Sequence, residues 1–504
     1  MVSIVLKSSP STASMLSTHH LIRLSSVSFS LFANFIGLDA DGNLIQNALP
    51  DSIGNLSKLQ TLNLNSNFLV GTIPFQVFGK MSSLRFLDLN FNEFTGVLPT
   101  SVGLMTALEY LDLSQNALRE NLPTELGALT ALTDLRIAKT DIRDTPDGAC
   151  AEEGLNCLGG VVPTEIGNLV NLRKYLTTSG LFVLGLPPLS RVSFAERLWL
   201  FQNGLRGTFP SELGRLSNVQ ILLLFTNSLT GNLPPEISGL SRLGFLDIST
   251  NYIGPDLEQA LMELSSVVRM NIELNSFATT LPISNNLSAI EQLAIGRNFF
   301  QGSIPTEMAS LTTLKSFSIR ETALSGDIPT ELGRLTALES LDISINLITG
   351  FIPSEFGILT SLTSLSLEVT DLSGSIPTEL ANLQSLVELQ LSRSSLSSTI
   401  PSEIGRMSRL LDLELFNNTL TGTIPTELGG LASLLEMELR INTLVGTVPT
   451  ELGLIQGLEE LRVDDNILTG VIPNDICLLS LTSLTSDCLG QKPLIVCTCC
   501  TECF

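Results

Sequence analysis

The run Leu410–Ser433, LLDLELFNNTLTGTIPTELGGLAS, decides the fold. Leu413 and Leu415 flank Glu414. That alternation of period two sends apolar side chains to one side and the polar one to the other, as in a short strand. Asn418 closes the strand, and Gly422 and Pro425 shape the return path. PTELGGL (Pro425–Leu431) reads as a short helical turn, with Glu427 near the positive end of its dipole. The unit is LxxLxLxxNxLxGxIPxxLGxLxx. Pro305, Pro329, Pro353, Pro377, Pro401, Pro425, Pro449 and Pro473 lie 24 residues apart, and the same (I/L/V)P pair, with Phe209 as its apolar member at Pro210, marks Pro50, Pro74, Pro99, Pro123, Pro163, Pro210, Pro234 and Pro282. With Pro187 and a frame implied at residue 258, the chain holds about eighteen units.

No unit of this size buries its leucines alone, so neighbours must stack into a solenoid with one parallel sheet. Thirteen of the eighteen units carry the strand-ending Asn, among them Asn67, Asn116, Asn227 and Asn466. Thr140, Gly180, Thr322, Thr370 and Ser394 take its place in the rest. A buried polar ladder of this kind bonds the backbone of neighbouring coils and lets the chain turn. The expected fold is an α/β solenoid with short helical or 3-10 turns opposite the sheet.

On these residues the chain resembles the plant-type extracellular leucine-rich repeat, whose mark is LxGxIPxxLGxL. It is similar to receptor-kinase ectodomains and polygalacturonase-inhibiting proteins, over about residues 35–480. The resemblance implies a right-handed superhelix with a concave sheet. It also implies a protein, peptide or cell-wall glycan ligand, with a membrane co-receptor among the partners, and an extracellular or cell-surface location.

Three segments break the pattern. About 16 extra residues enter between Ile142 and Gly160, placing a loop near 143–159. It contains Cys150 and Cys157, which read as a small disulfide-closed loop or as two free thiols. Lys174–Phe194 keeps the Pro187 register but loses the Leu pattern, as a distorted coil or an error in reading the gene would. Gly254–Ser266 replaces the usual return path and predicts a fuller helix.

The termini differ from the solenoid at 35–476. Residues 477–504 hold Cys477, Cys488, Cys497, Cys499, Cys500 and Cys503, expected to form an oxidised cap, with a zinc site as the rival. Residues 1–34 are Ser-rich, without a clean apolar core or cleavage site, and fit an incomplete start or a transit-like segment. Asn55, Asn286 and Asn417 occupy N-x-S/T sequons, few enough to arise by chance.

Composition narrows the function. The chain has 504 residues, 43% hydrophobic and 15% charged, with a net charge of −23. That suits a large buried core and repels nucleic-acid phosphates. No run of 18 apolar residues exists, so no direct membrane span is expected. His19 and His20 are the only His residues, both in the N-terminal segment. The repeats therefore lack a His for base catalysis or zinc, no phosphate loop appears, and no enzyme activity, cofactor or metal is expected.

The residues flanking the two inward strand positions map the concave face. Early coils show Asn63, Asn65, Asp88, Asn90, Asp112 and Ser114. Three middle coils show Trp199 (the only Trp), Phe201, Ile221, Leu223, Phe225 and Phe245. The last show Glu388, Asp412, Glu436 and Glu460 in one column with Glu414, Glu438 and Asp464 beside it, and Arg393, Arg440 and Arg462 interspersed. Exposed aromatic clusters mark contact sites. The island at Trp199 is therefore the first candidate ligand site, unless the degenerate coil upstream folds over it. The acidic stretch (Glu388, Asp412, Glu414, Glu436, Glu438 and Glu460) is the second, suited to a basic segment or a divalent cation. A further Glu column follows the Pro, from Glu125 and Glu165 to Glu427 and Glu451. The reading is a non-enzymatic recognition module. A structural or adhesive surface protein is the alternative and an intracellular scaffold the third.

Overall fold

A computed structural model describes residues 34–138, 156–172, 197–257, 264–281, 287–488 and 495–504, together with the backbone of strands Val2–Ser9 and Thr12–Thr18. The chain divides into two compact units, Met1–Ser276 and Phe277–Phe504.

In the first unit the strands Gly37–Asp39, Thr61–Asn63, Phe86–Asp88, Tyr110–Asp112, Asp134–Arg136, Arg197–Trp199, Ile221–Leu223, Phe245–Asp247 and Arg269–Asn271 pair in parallel, in chain order. Their register aligns Leu62, Leu87, Leu111, Leu135, Leu198, Leu222 and Leu246 in one buried column. Each such side chain contributes about 1.5–3 kcal/mol of burial that an isolated unit could not realise. Val2–Ser9 and Thr12–Thr18 form an antiparallel hairpin, and Val5–Lys7 pairs antiparallel with Gly37–Asp39. The composition of that stretch gives no sign of this.

The second unit repeats the scheme from Gln292–Ala294 to Glu460–Arg462. The Cys-bearing end continues it: Ser483–Ser486 pairs with Glu460–Arg462, and Glu502–Cys503 with Ser486 and its neighbour. Disulfides join Cys477 to Cys499, Cys488 to Cys503 and Cys497 to Cys500. The pairing proposed for Cys150 and Cys157 lies outside the described residues, as do the whole degenerate coil and the centre of the helix expected at 254–266.

The Asn ladder explains why coils hold a fixed pitch. Nδ2 of Asn442 donates to the Leu439 and Arg440 carbonyls of its own coil and to Leu415 of the coil before, at 3.0, 3.3 and 3.0 Å. Its Oδ1 accepts the Leu420 N–H at 3.0 Å. One amide thus satisfies four groups that would otherwise be buried unpaired. After the insertion the rung is Asn156, whose Oδ1 accepts the Leu118 N–H at 3.0 Å, whereas the repeat spacing assigns it to Thr140.

Opposite the sheet, each PxELG segment forms a 3-10 turn, such as Thr426–Gly430 with Pro425 extended at its start. The Gly inside the turn is demanded by the next coil. A Cβ on Gly405 would sit 2.0 Å from the Glu427 carbonyl oxygen. Most column Glu residues accept a bond from the hydroxyl beside them, as Glu427 does from Thr426 at 3.3 Å, whereas Glu236 follows Pro235 and has none there.

Candidate functional site

The sheet face of the first unit is not the open aromatic island that the sequence predicts. Trp199, Phe201, Ile221, Leu223 and Phe245 are all buried, in one cluster with Ala138, and Phe225 is partly buried against them. Trp199 is 6% exposed. Each ring meets a neighbour instead of water. Phe201 stacks on Phe225 with centroids 4.3 Å apart, and Trp199 lies tilted 5.9 Å from Phe201. The guanidinium of Arg136 lies 4.8 Å from the Trp199 ring centroid. These aromatics hold the face together, and the reading of them as a free stacking platform is corrected.

Arg136 is the residue that the sequence map missed. It binds Asp134 through two hydrogen bonds of 2.9 and 2.7 Å and lies 3.6 Å from Asp112. It also lies 5.2 Å from the Tyr110 ring, which stacks on Phe86. Extending the Asp88–Asp112 column by one coil would have found it, because Asp112, Arg136 and Trp199 are register partners. Burial, with Asp112 close by, pushes the Asp88 carboxyl up to about 8.

In the second unit the acidic stretch is assembled as the 24-residue spacing requires. Glu388, Asp412, Glu436 and Glu460 are consecutive register partners, and Glu414 and Glu438 pair in the column beside them. Glu388 and Glu436 are exposed, Asp412, Glu414 and Glu460 half-buried, and Glu438 buried. The charges are unevenly compensated. Arg462 holds Glu438 at 2.7 Å and Glu460 at 2.5 Å, and Arg440 holds Glu438 at 3.2 Å. Among the described residues no Lys or Arg pairs with Glu388, Asp412, Glu414 or Glu436. Burial, then Asp412 and Glu368, pushes Glu414 up to about 7. Burial, with Glu436 and Glu388, pushes Asp412 up to about 6 against the hydrogen bond from Gln390. Among the described residues no group of three or more His, Cys, Asp or Glu is arranged to hold a metal ion, so the divalent-cation reading is not carried forward.

The geometry so described has a counterpart in known proteins. A family profile described as "Leucine-rich repeat region" matches residues 22–176, and one described as "Leucine Rich Repeat" matches residues 337–359. This chain is a leucine-rich repeat solenoid. A plant peptide hormone receptor, RGFR1 in complex with RGF2, superposes with a TM-score of 0.81 at 27% identity, over 98% of this chain and 71% of that one. The Arabidopsis receptor kinase HAESA, in complex with the peptide hormone IDA and the co-receptor SERK1, gives 0.73 at 26%, over 93% and 74%. A leucine-rich repeat protein of Leptospira interrogans gives 0.61 at 26%, over 83% and 93%. No curated protein matches the chain. Among the described residues of the leucine-rich repeats no helix is long and apolar enough to cross a membrane.

A concavity of about 860 Å³ lies at the 3-10 turns of the second unit, lined by Phe351, Thr399, Thr423, Glu379, Glu403 and Glu427 among others. Its three glutamates each accept a bond from the adjacent Thr or Ser hydroxyl.

Proposed function

We propose that this chain is a non-enzymatic recognition module that acts outside the cell and binds a peptide or protein ligand on the sheet face of its repeats. The observation that carries the reading is the run Glu388, Asp412, Glu414 and Glu436. Like charges on adjacent strands repel, and the fold does not need them, because Ser316, Ser340 and Ser364 occupy the same column in earlier coils. A partner's positive charge would offset that repulsion. The likeness to RGFR1 and HAESA, both captured with peptide hormones, supports a peptide, and the co-receptor in the HAESA complex supports a membrane partner. A glycan ligand loses its support, because the aromatic rings that would stack on sugar are buried. A structural or adhesive role would favour a regular array, whereas this column runs Ser340, Ser364, Glu388, Asp412, Glu436.

The test is photo-crosslinking. p-Benzoylphenylalanine placed at Ser364 on the sheet face, or at Thr426 on the opposite turn, is irradiated with a synthetic library of 12-residue peptides. Capture of defined sequences from Ser364 and not from Thr426 is expected. Capture at neither site, or equally at both, would overturn the reading.

A further inference from the structure

Resting on the reading that this face binds a peptide, we propose that Glu388, Asp412, Glu414 and Glu436 form a subsite for one lysine or arginine side chain of the ligand, occupied by Gln390 as a neutral stand-in until the ligand arrives.

The cations already present are committed elsewhere. Arg462 and Arg440 serve Glu438 and Glu460, while Arg393 and Arg440 lie over the Phe416 ring at 5.3 and 4.7 Å. Arg320 is taken by Glu368 at 3.5 Å. In the centre of the uncompensated group sits the Gln390 amide. Its Nε2 donates to Asp412 Oδ2 at 3.1 Å and to Glu414 Oε1 at 3.5 Å. Those are the bonds an ammonium or guanidinium would make, and a charged donor makes them about twice as strong.

A second observation points to an absent ligand. Ser366 is 5% exposed and its Oγ has no hydrogen-bond partner, and Asp412 Oδ1 is likewise buried and unpartnered. Buried polar atoms are seldom left so. Ser366 is on the sheet face, since Leu365 beside it is in the core, and it is the register partner of Gln390. Gln390 thus stands between the two orphaned atoms, with Ser366 on the strand before it and Asp412 on the strand after. The strands carrying Ser366 and Asp412 are two apart, about 10 Å, a span of about three residues of extended peptide. The ligand class is therefore a peptide with a basic residue and a hydrogen-bonding residue about three positions away. The raised carboxyls of Asp412 and Glu414 fit a site whose counter-charge is missing.

The probe is a ten-residue Gly peptide carrying Arg and, three positions on, Ser, compared by calorimetry at pH 7.5 with the same peptide carrying citrulline, a neutral isostere of Arg. On the full chain the Arg probe is expected to bind at least tenfold tighter than the citrulline probe. D412N/E414Q should abolish that preference, and so should E388Q/E436Q, whose exposed positions do not endanger folding. Q390A should strengthen Arg binding. E403Q/E427Q, the same change of charge in the lateral column, should leave the preference intact. Equal weakening by the sheet-face and lateral variants would reduce the effect to net charge and overturn the subsite. A preference that survives both D412N/E414Q and E388Q/E436Q would do the same. If library peptides bind at Ser364 but the Arg and citrulline probes bind equally, the subsite falls and the recognition reading stands. If nothing binds, both fall.

Discussion

Replacing Asp88 by Asn should remove a pH dependence built into the first unit. Asp88 is 6% exposed and faces Asp112, its register partner, with Asp41 and Arg136 nearby. Arg136 is engaged by Asp134 and Asp112, so Asp88 keeps only the Asn90 N–H, at 3.1 Å. Burial, then Asp112, raises its pKa to about 8. The native protein therefore binds a proton that the unfolded chain releases near pH 4. The native state holds more protons between those values, so stability falls as pH rises through the window and levels off above about pH 8. From pH 6 to pH 9 the loss approaches two units at about 1.4 kcal/mol each, about 2.7 kcal/mol. The amide introduced by D88N carries no proton equilibrium and keeps the acceptor. The preceding coil shows that it fits, because Asn63 occupies the same column and accepts the Asn65 N–H at 3.2 Å. Urea unfolding followed by Trp199 emission at pH 6, 7, 8 and 9 measures the gap between the two proteins. Every other titrating group is common to both, so the gap should widen by about 2.7 kcal/mol in favour of D88N. Parallel curves would mean that Asp88 is ionised throughout and stabilised by Arg136, and would refute the reasoning.

Four further outcomes are expected. Ile441 has φ of 54° and is 39% exposed, and the equivalent residue one coil earlier is Asn417, so Ile441→Asn should stabilise the second unit by about 1 kcal/mol in urea titration. Gly405→Ala would press a methyl group into the Glu427 carbonyl and should cost about 3 kcal/mol or more, visible as a lowered melting temperature and new proteolytic nicking between 402 and 430. Iodoacetamide should add no label at Cys477, Cys488, Cys497, Cys499, Cys500 or Cys503 without reductant and six with it; labelling of the unreduced protein would favour the intracellular scaffold. Binding of the Arg probe should weaken severalfold from pH 7.5 to pH 5.5, as Asp412 and Glu414, raised to about 6 and about 7, take up protons and lose their charge; binding that strengthens on acidification would contradict the site.

The parts of this structure that were legible in the sequence are those a single coil determines. Leu413, Leu415 and Asn418 specify one coil, and stacking repeats that answer every 24 residues. Strand register followed from the spacing, so the Glu388–Glu460 column could be drawn before any coordinate was known. The turn chemistry was equally local: the Gly of PxELG is excluded from carrying a side chain by a carbonyl of the next coil, whatever else surrounds it. Less visible was the backbone beside the ladder. Among the described residues, the residue before each ladder Asn takes a positive φ, even where it is Thr226 or Ile345, and so does Val369 before Thr370. The turn belongs to the repeat as a whole, since it persists before Thr322, Thr370 and Ser394 where no amide stands, and the identity of the strained residue carries no signal.

Exposure was not legible, and the aromatic column shows why. Register says which face a side chain leaves from, but burial depends on how far its neighbours reach over it. Trp199 is closed in partly by Arg136, and these two residues are partners in adjacent strands although 63 positions separate them along the chain. A map drawn coil by coil from the 24-residue spacing passes over such a pair, because the insertion and the degenerate coil both lie between them. The acidic column escapes this error because its coils are regular and its side chains compete for the same few arginines. There the question is which carboxylates gain a cation, and Glu438, flanked by Arg440 and Arg462, takes both. What remains at Glu388, Asp412, Glu414 and Glu436 is a charge that the protein's own residues leave uncompensated. That imbalance, more than any exposed ring, is the ground on which we propose this stretch of the sheet as the place where a partner binds.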